Sequence, residues 1–284
     1  MRTFLFIAFS LLIFSGCVHD PTRPHLTNLA PGAPDVGTIL DDITANTDAL
    51  NSLEGTGIVR LSVPGSDGIQ NFRTGFIQFE RPDRFFFRGR KGTFVVQVYV
   101  EGDRFLLDLP SRDVFYYGRQ GDRFDDLDLD VAPSRIVQEL FFLNVLGDDG
   151  GGKVEVTAYD EASSTAELSV YADEQGRKLQ RRVVVRKEGT WRVTGVSVYG
   201  PGEALIAETV CTGYEEIDGV VTPMDVKSVF PDRHAEMEYN LSATKTRVNT
   251  DGLRPVATLD EARAALLADG VAEVLGQPGG ERVR

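Results

Sequence analysis

Apolar and polar residues alternate with a period of two along most of this chain, and this pattern predicts β-strands. The first clear run is Val59, Leu61 and Val63, which alternate with Arg60 and Ser62. Clusters of Gly, Pro, Asp and Ser separate this run from the next, as expected of turns. The strands predicted to follow are 71–80, 84–90, 94–100, 104–109 and 113–117. Short strands with such regular turns indicate an antiparallel meander.

The alternation returns after residue 152 and continues almost to residue 250. The strands predicted there are 153–159, 165–171, 179–187, 191–199, 204–212, 220–230 and 235–245. The sequence has no repeat at a fixed period and no linker between the two meanders. Residues 35–250 are therefore predicted to form one domain, and residues 251–284 a C-terminal helix and tail.

Three stretches have helical periodicity instead. Asp35 is a candidate cap for a helix over 36–53, and 259–275 is predicted to form a short terminal helix. A third helix begins at Pro133, between the two meanders. Its apolar residues lie on more than one side, so it needs packing partners on both sides. These residues are Ile136, Val137, Leu140, Phe141, Leu143 and Val145. The predicted fold class is mainly β with a few helices.

The N-terminus has the order of a bacterial secretory signal. Arg2 supplies a basic start, residues 4–14 are mostly apolar, and two small residues precede Cys17. The apolar run is too short for a membrane span, which needs about 20 residues. A cysteine directly after small residues resembles the lipobox of bacterial lipoproteins. That resemblance implies a signal peptide over 1–16 and lipid attachment to the Cys17 thiol; the alternative is an ordinary signal peptide with an incidental cysteine.

Residues 17–34 are predicted to form a tether between the lipidated cysteine and the folded domain. This segment is rich in proline and has few side chains that could pack. His19 and His25 are assigned to the tether, since no third metal ligand lies at a suitable spacing. The net charge of −13 makes nucleic acid and the free surface of an anionic membrane poor partners of the domain. The Cys17 anchor would therefore account for membrane attachment.

No motif in the chain predicts catalysis, a metal or a cofactor. The glycine-rich segment 147–153 has phosphate-loop spacing, but it lacks the hydroxyl residue after its lysine and follows a helix rather than a strand. The acidic segment 126–130 begins like a calcium loop that lacks its glycine and its final glutamate. His234 has no serine in a nucleophile turn to act on, and Cys211 lies in an alternating run that favours an inert buried thiol. A hydrolase with paired carboxylates stays an alternative.

The order of helix, meander, apolar helix and second meander resembles the LolA/LolB-like group of periplasmic lipoprotein carriers and receptors. The most similar stretch is 191–249, which includes 214–223, a strand, an Asp-Gly turn and a strand with a proline. Earlier similarities lie at 53–57 and 81–85. The resemblance covers residues 36–250. It implies an antiparallel half-open β-barrel with an apolar interior and a helical lid across the opening.

In that group, the resemblance implies, acyl chains bind between the sheet and the lid. Strand alternation places large apolar side chains of the first meander on one face, and the apolar helix would supply the lid. The candidate ligand-binding residues are Phe85, Phe87, Phe94, Val96, Val98, Phe105, Leu107, Ile136, Leu140, Phe141 and Val145. The alternative is that the same residues simply fill the core of an ordinary barrel.

The resemblance implies a non-enzymatic, lipid-anchored protein of the bacterial envelope, without a cofactor. Its ligand would be an acyl chain, a lipid or a lipoprotein, and its role lipoprotein localisation. Val18 follows Cys17, whereas an Asp there favours inner-membrane retention in enterobacteria, so the expected location is the outer membrane facing the periplasm. The alternative is an envelope scaffold lipoprotein with a fully packed barrel that binds another envelope protein.

Overall fold

The computed structural model describes residues 24–62, 69–122, 124, 133–146, 152–173, 176–231 and 235–277. The predicted signal peptide and Cys17 lie outside these residues, as do the acidic segment 126–130, most of the glycine-rich segment 147–153 and His234. Strands predominate in the part of the chain described, together with three α-helices. The prediction of a mainly β fold with a few helices is confirmed.

The first meander follows one short strand and a helix. Its strands pair antiparallel, each with the next along the chain. The alternation predicted most of these strands to within about three residues at each end, because both faces of each strand differ in polarity. The short strand that precedes the meander is β1 (His25–Asn28). The strands of the first meander are β2 (Ser52–Ser62), β3 (Ile69–Glu80), β4 (Arg84–Lys91), β5 (Phe94–Glu101), β6 (Arg104–Leu109) and β7 (Val114–Arg119).

The second meander has the same antiparallel succession. Its strands are β8 (Lys153–Asp160), β9 (Thr165–Tyr171), β10 (Leu179–Glu188), β11 (Thr190–Tyr199), β12 (Leu205–Ile217), β13 (Val220–Phe230) and β14 (Ala235–Leu241). Two short strands follow, β15 (Arg247–Val248) and β16 (Ala272–Leu275). β15 adds to the end of β2.

The two meanders join into a single open sheet because β14 pairs antiparallel with β2. The strand order is β1-β8-β9-β10-β11-β12-β13-β14-β2-β3-β4-β5-β6-β7-β16. Gly57 of β2 lies opposite Leu241 of β14. A Cβ atom at Gly57 would collide with the backbone carbonyl oxygen of Asn240. The close approach of these two strands therefore requires glycine at this position.

The outermost strand at each end of the sheet is short and pairs parallel with its neighbour. β1 pairs with β8, and β16 pairs with β7. The tether prediction had included residues 25–28, and the terminal-helix prediction had included 272–275. In both places the chain instead satisfies the backbone groups of a strand that would otherwise be an edge.

Three helices accompany the sheet. α1 (Val36–Ala49) begins at Asp35, whose carboxylate accepts a hydrogen bond of 3.0 Å from the backbone N–H of Thr38. It ends before residue 53, where the prediction placed its end, because β2 begins at Ser52. The other two helices are α2 (Pro133–Leu140) and α3 (Leu259–Ala268).

The sheet curls around α2. This helix contacts β5, β6 and β13, and its Glu139 pairs with Arg181 of β10. In a flat sheet β10 and β6 would lie about 43 Å apart, at ~4.8 Å per strand. A helix of 8 residues is only about 12 Å long. The sheet therefore wraps around α2, which gives it an inner face toward α2 and an outer face. This is the half-open arrangement that was predicted.

A second, smaller core lies on the outer face. Leu106 and Phe115 of the first meander pack there against Leu259 of α3, and all three are buried. Strand β6 is consequently covered on both faces, and its residues Phe105 to Leu109 are all buried. The C-terminal helix thus belongs to the folded body.

Candidate functional site

Large apolar side chains of the first meander share the inner face of the sheet. Phe85 lies opposite Val100, Phe87 opposite Val98, and Val98 opposite Leu107 on the next strand. The predicted ligand-binding residues of these strands all belong to one apolar cluster, in which only Phe94 is half-buried. They are Phe85, Phe87, Phe94, Val96, Val98, Phe105 and Leu107. Their role in binding a ligand stays a prediction.

Residues 136–146, which we call the cover segment, lie on this inner face. They comprise most of α2 and the turn after it. The four predicted lid residues are all buried here: Ile136, Leu140, Phe141 and Val145. The ring of Phe141 stacks on Phe79, with 4.6 Å between the centroids, and lies 5.8 Å from the ring of Tyr239. The cover segment thus packs the ring of Phe141 onto rings from strands β3 and β14.

Tyr239 of β14 provides a polar contact beneath the cover segment. It is fully buried, and its hydroxyl lies 3.4 Å from the carbonyl oxygen of Leu140 and 3.3 Å from that of Pro223. Burial raises the pKa of Tyr239 well above its ordinary value, so the hydroxyl stays protonated. It can therefore donate a hydrogen bond to a carbonyl at the end of α2.

The strongest polar contact of the cover segment is a buried ion pair. Glu139 of α2 accepts two hydrogen bonds from the guanidinium of Arg181 on β10, of 3.0 and 3.3 Å. The two side chains are 4% and 6% exposed. Across the sheet, the neighbours of Arg181 are Val170 and Val198, which are both buried. The pair therefore lies in apolar surroundings, where the removal of one partner would leave an uncompensated charge.

Helix α1 covers the second meander beside the cover segment. The amide of Asn46 donates a hydrogen bond of 2.9 Å to the carbonyl oxygen of Trp191, whose own backbone N–H donates to Asp42 at 3.0 Å. Phe142 of the cover segment has a φ of 53°, a region that a bulky residue rarely adopts. A gap of about 30 Å³ remains between α1, Phe142 and the strand that begins near Trp191.

The inner face is otherwise occupied by the chain's own side chains. Phe141 and the strand residues beneath it are in mutual contact, and the gap beside α1 holds about 30 Å³, which is the space of about one water molecule. A long apolar ligand could therefore reach the inner face only if the cover segment moved away. The side chains of the sheet and of the cover segment thus fill the inner face together.

The cysteine of the described residues, Cys211, is buried. Burial raises the pKa of the Cys211 thiol to about 12, which keeps it neutral and poorly nucleophilic. No group of His, Cys, Asp and Glu in the part of the chain described is arranged to hold a metal ion. The acidic segment, the glycine-rich loop and His234 lie outside that part, so their interpretations stay predictions.

The sequence interpretation missed the polar contacts of the cover segment. Glu139 and Arg181 each interrupt an apolar pattern: Glu139 follows Ile136 and Val137, and Arg181 stands between Leu179 and Val183. A charge on the buried side of each element is the signal that could have identified them. Their pairing could not be read from the sequence, because they are 42 positions apart on different elements.

Crystal structures of other proteins are similar to this chain, and three are described here. A DUF1329 family protein from Desulfovibrio piger is 13% identical over 76% of this chain and 92% of that chain, with a TM-score of 0.48. A putative outer membrane lipoprotein-sorting protein domain from Vibrio parahaemolyticus is 12% identical over 80% and 96%, with a TM-score of 0.47. A LolA superfamily protein from Nitrosomonas europaea is 8% identical over 76% and 95%, with a TM-score of 0.43.

No protein-family model matches the sequence, and no curated protein matches it significantly. Two of the three similar structures carry descriptions of the group that the sequence pattern resembles. Each likeness covers at least 76% of this chain at 13% identity or less.

Proposed function

We propose that this protein binds the acyl chain of a lipid or lipoprotein between the inner face of the sheet and the cover segment. The observation that supports the proposal is a broad apolar inner face closed by a short segment with few polar attachments. Binding would displace the cover segment and place the acyl chain where Phe141 and its neighbours now lie. No catalytic step is part of this function.

The energies of the two states are of similar size. Burial of an 18-carbon chain with about 16 methylene groups gains at most about 13 kcal/mol, at ~0.8 kcal/mol per group. Displacement of the cover segment exposes six buried apolar side chains: Ile136, Val137, Leu140, Phe141, Phe142 and Val145. Their exposure costs about 9–18 kcal/mol, at roughly 1.5–3 kcal/mol each. Apart from the Glu139–Arg181 pair, an acyl chain can therefore replace the apolar contacts of the cover segment without a large change in stability, which is what reversible binding requires.

The proposed location is the bacterial envelope, with lipid on Cys17 as the anchor and residues 17–34 in part as a tether. In the part of the chain described, every helix is too short or too polar to traverse a bilayer. We propose residues 1–16 as the removed signal, 35–250 as the binding domain and 251–284 as the C-terminal helix and tail. Cys17→Ala with the signal 1–16 removed should move the protein from the outer-membrane fraction to the soluble periplasmic fraction; retention in the outer-membrane fraction would contradict the anchor.

The binding proposal is tested with the Cys17→Ala protein isolated from cells. Native mass spectrometry should detect retained phospholipid or lipopeptide. Titration with a series of fluorescent acyl probes should show an affinity that rises with chain length, by up to about fourfold per methylene group. The shortest probe is the matched control, since it shares the head group and the dye. A ligand-free protein with no dependence on chain length would overturn the proposal.

The second candidate function is an envelope scaffold that binds another envelope protein through its surface. The filled interior favours it, because the gap beside α1 holds only about 30 Å³. Under this alternative the cover segment never leaves the inner face. The same titration separates the two functions, since a scaffold would ignore every probe in the series.

A further inference from the structure

Arg181 is a cation in an apolar interior. It lies on the inner face, in line with the buried residues Leu179, Val183 and Val185 of the same strand. It is 5% exposed. Two of its guanidinium nitrogens contact Glu139, whereas its Nε has no hydrogen-bond partner among the described residues. The guanidinium is thus incompletely satisfied even while the cover segment is in place.

The ion pair is not explained by stability. A buried ion pair gains little over apolar residues of similar volume, because the removal of both charges from water offsets their attraction. Arg181 lies across the sheet from the buried residues Val170 and Val198, surroundings that an apolar side chain would match well. With opposite charges at this place, the position of the cover segment depends on the pairing of its Glu139 carboxylate with Arg181.

Movement of the cover segment would separate the pair. Glu139 belongs to α2, whereas Arg181 belongs to the sheet, so displacement of α2 leaves the guanidinium on the inner face without its carboxylate. An unpaired buried cation is strongly unfavourable. An acyl ligand that carries its own anion would restore the pairing, and a neutral ligand would not.

We propose that Arg181 binds the anionic head group of the ligand, a carboxylate or a phosphate, and that Glu139 occupies this site in the ligand-free protein. This inference rests on the proposed function and specifies its ligand class: acyl chains with an anion at the head. The planar guanidinium suits both anions, since it forms paired hydrogen bonds with either. The net charge of −13 disfavours anions over the surface in general, so the discrimination must come from this buried site.

The test compares ligands that differ only at the head, in the full-length chain with Cys17→Ala to prevent acylation. Calorimetry at pH 8, below the aggregation concentrations, gives dissociation constants for oleate against oleyl alcohol. A second pair is oleoyl lysophosphatidic acid against monooleoylglycerol. The anionic member should bind at least about tenfold more tightly. A preference in the first pair, the second or both supports the proposal and identifies the carboxylate, the phosphate or either as the head group.

Three variants separate recognition of the anion from a merely structural pair. Glu139→Gln removes the internal competitor, so both ligands of a pair should bind more tightly and the preference should persist. Glu139→Gln/Arg181→Gln keeps a neutral hydrogen-bonded pair and should reduce the preference to about one. Glu139→Arg/Arg181→Glu keeps an ion pair and should reverse the preference. Emission from the buried Trp191 reports folding, and if the charge-reversed protein fails to fold, the double glutamine variant decides.

The outcomes distinguish this inference from the proposed function. If oleate and oleyl alcohol bind equally well, and oleoyl lysophosphatidic acid and monooleoylglycerol do too, the role of Arg181 is overturned and acyl binding stands. Persistence of the preference in the double glutamine variant also overturns it. If no ligand of either pair binds, both proposals fail.

Discussion

Replacement of Phe141 by alanine should both destabilise the protein and improve its binding of acyl chains. Phe141 is 2% exposed, stacks on Phe79 at 4.6 Å and lies 5.8 and 6.1 Å from the rings of Tyr239 and Phe85. Truncation of a phenylalanine in such a place costs about 3–5 kcal/mol. In the proposed function the same energy holds the cover segment on the ligand site, so its loss should favour the ligand.

The gain in affinity follows from the population of the open state. If the loss of about 3 kcal/mol acted on the closed state alone, the fraction of binding-competent protein would rise up to about 150-fold. Partial relaxation and the loss of wall contacts reduce this gain. We therefore expect the affinity for a fluorescent fatty acid to rise by at least about tenfold.

Phe115→Ala provides the matched control. Phe115 is as deeply buried as Phe141, but it lies in the core on the outer face, beneath α3. Its truncation should lower the urea midpoint by a similar amount and should leave fatty-acid affinity unchanged. Unfolding is monitored by the emission of Trp191, the single tryptophan. Equal effects of the two variants on binding, or weaker binding by Phe141→Ala, would refute the cover-segment mechanism.

Three further predictions concern other parts of the fold. Cys211 should resist thiol reagents in the native protein and react once unfolded in urea; since the unfolded thiol ionises near pH 9 and the folded one at about 12, stability should fall as the pH rises above about 9. Gly57→Ala should lower the urea midpoint by an amount equivalent to about 1–3 kcal/mol, because the added methyl meets the Asn240 carbonyl; an unchanged midpoint would contradict the tight β2–β14 approach. Burial raises the pKa of Asp108, against the hydrogen bond from Gln97 that lowers it. The stability that protonated Asp108 contributes is therefore lost as the pH rises from its unfolded pKa through its folded pKa. The urea midpoint of Asp108→Asn, measured relative to that of the wild type, should thus be higher at pH 7 than at pH 4, and a lower relative midpoint at pH 7 would contradict this sign.

Alternation along the chain predicted most strands of both meanders, although it missed residues 52–58 of β2. The run 84–90 became Arg84–Lys91, and the run 220–230 became Val220–Phe230. Such strands are predictable because each is buried on one face, so the period of two is written into its own residues. The same reasoning placed Phe85, Phe87 and Val98 on one face, where the structure has them.

The chain ends were less predictable, because their structure depends on distant partners. The strand His25–Asn28 has little alternation and forms by pairing with Lys153–Val156. The run 259–275 is helical only to Ala268, and Gly270, with a φ of 78°, separates the helix from β16. That glycine was the available local signal, whereas the parallel pairing with β7 was not visible in the sequence.

Local pattern therefore determined the elements of this protein, their order and the polarity of each face, since these depend on neighbours along the chain. Tertiary structure determined how the faces meet. It decided that the two meanders join through β2 and β14, that α2 fills the inner face, and that Glu139 meets Arg181. These contacts join residues far apart in sequence, and their energies depend on burial that exists only when the sheet has curled around the helix.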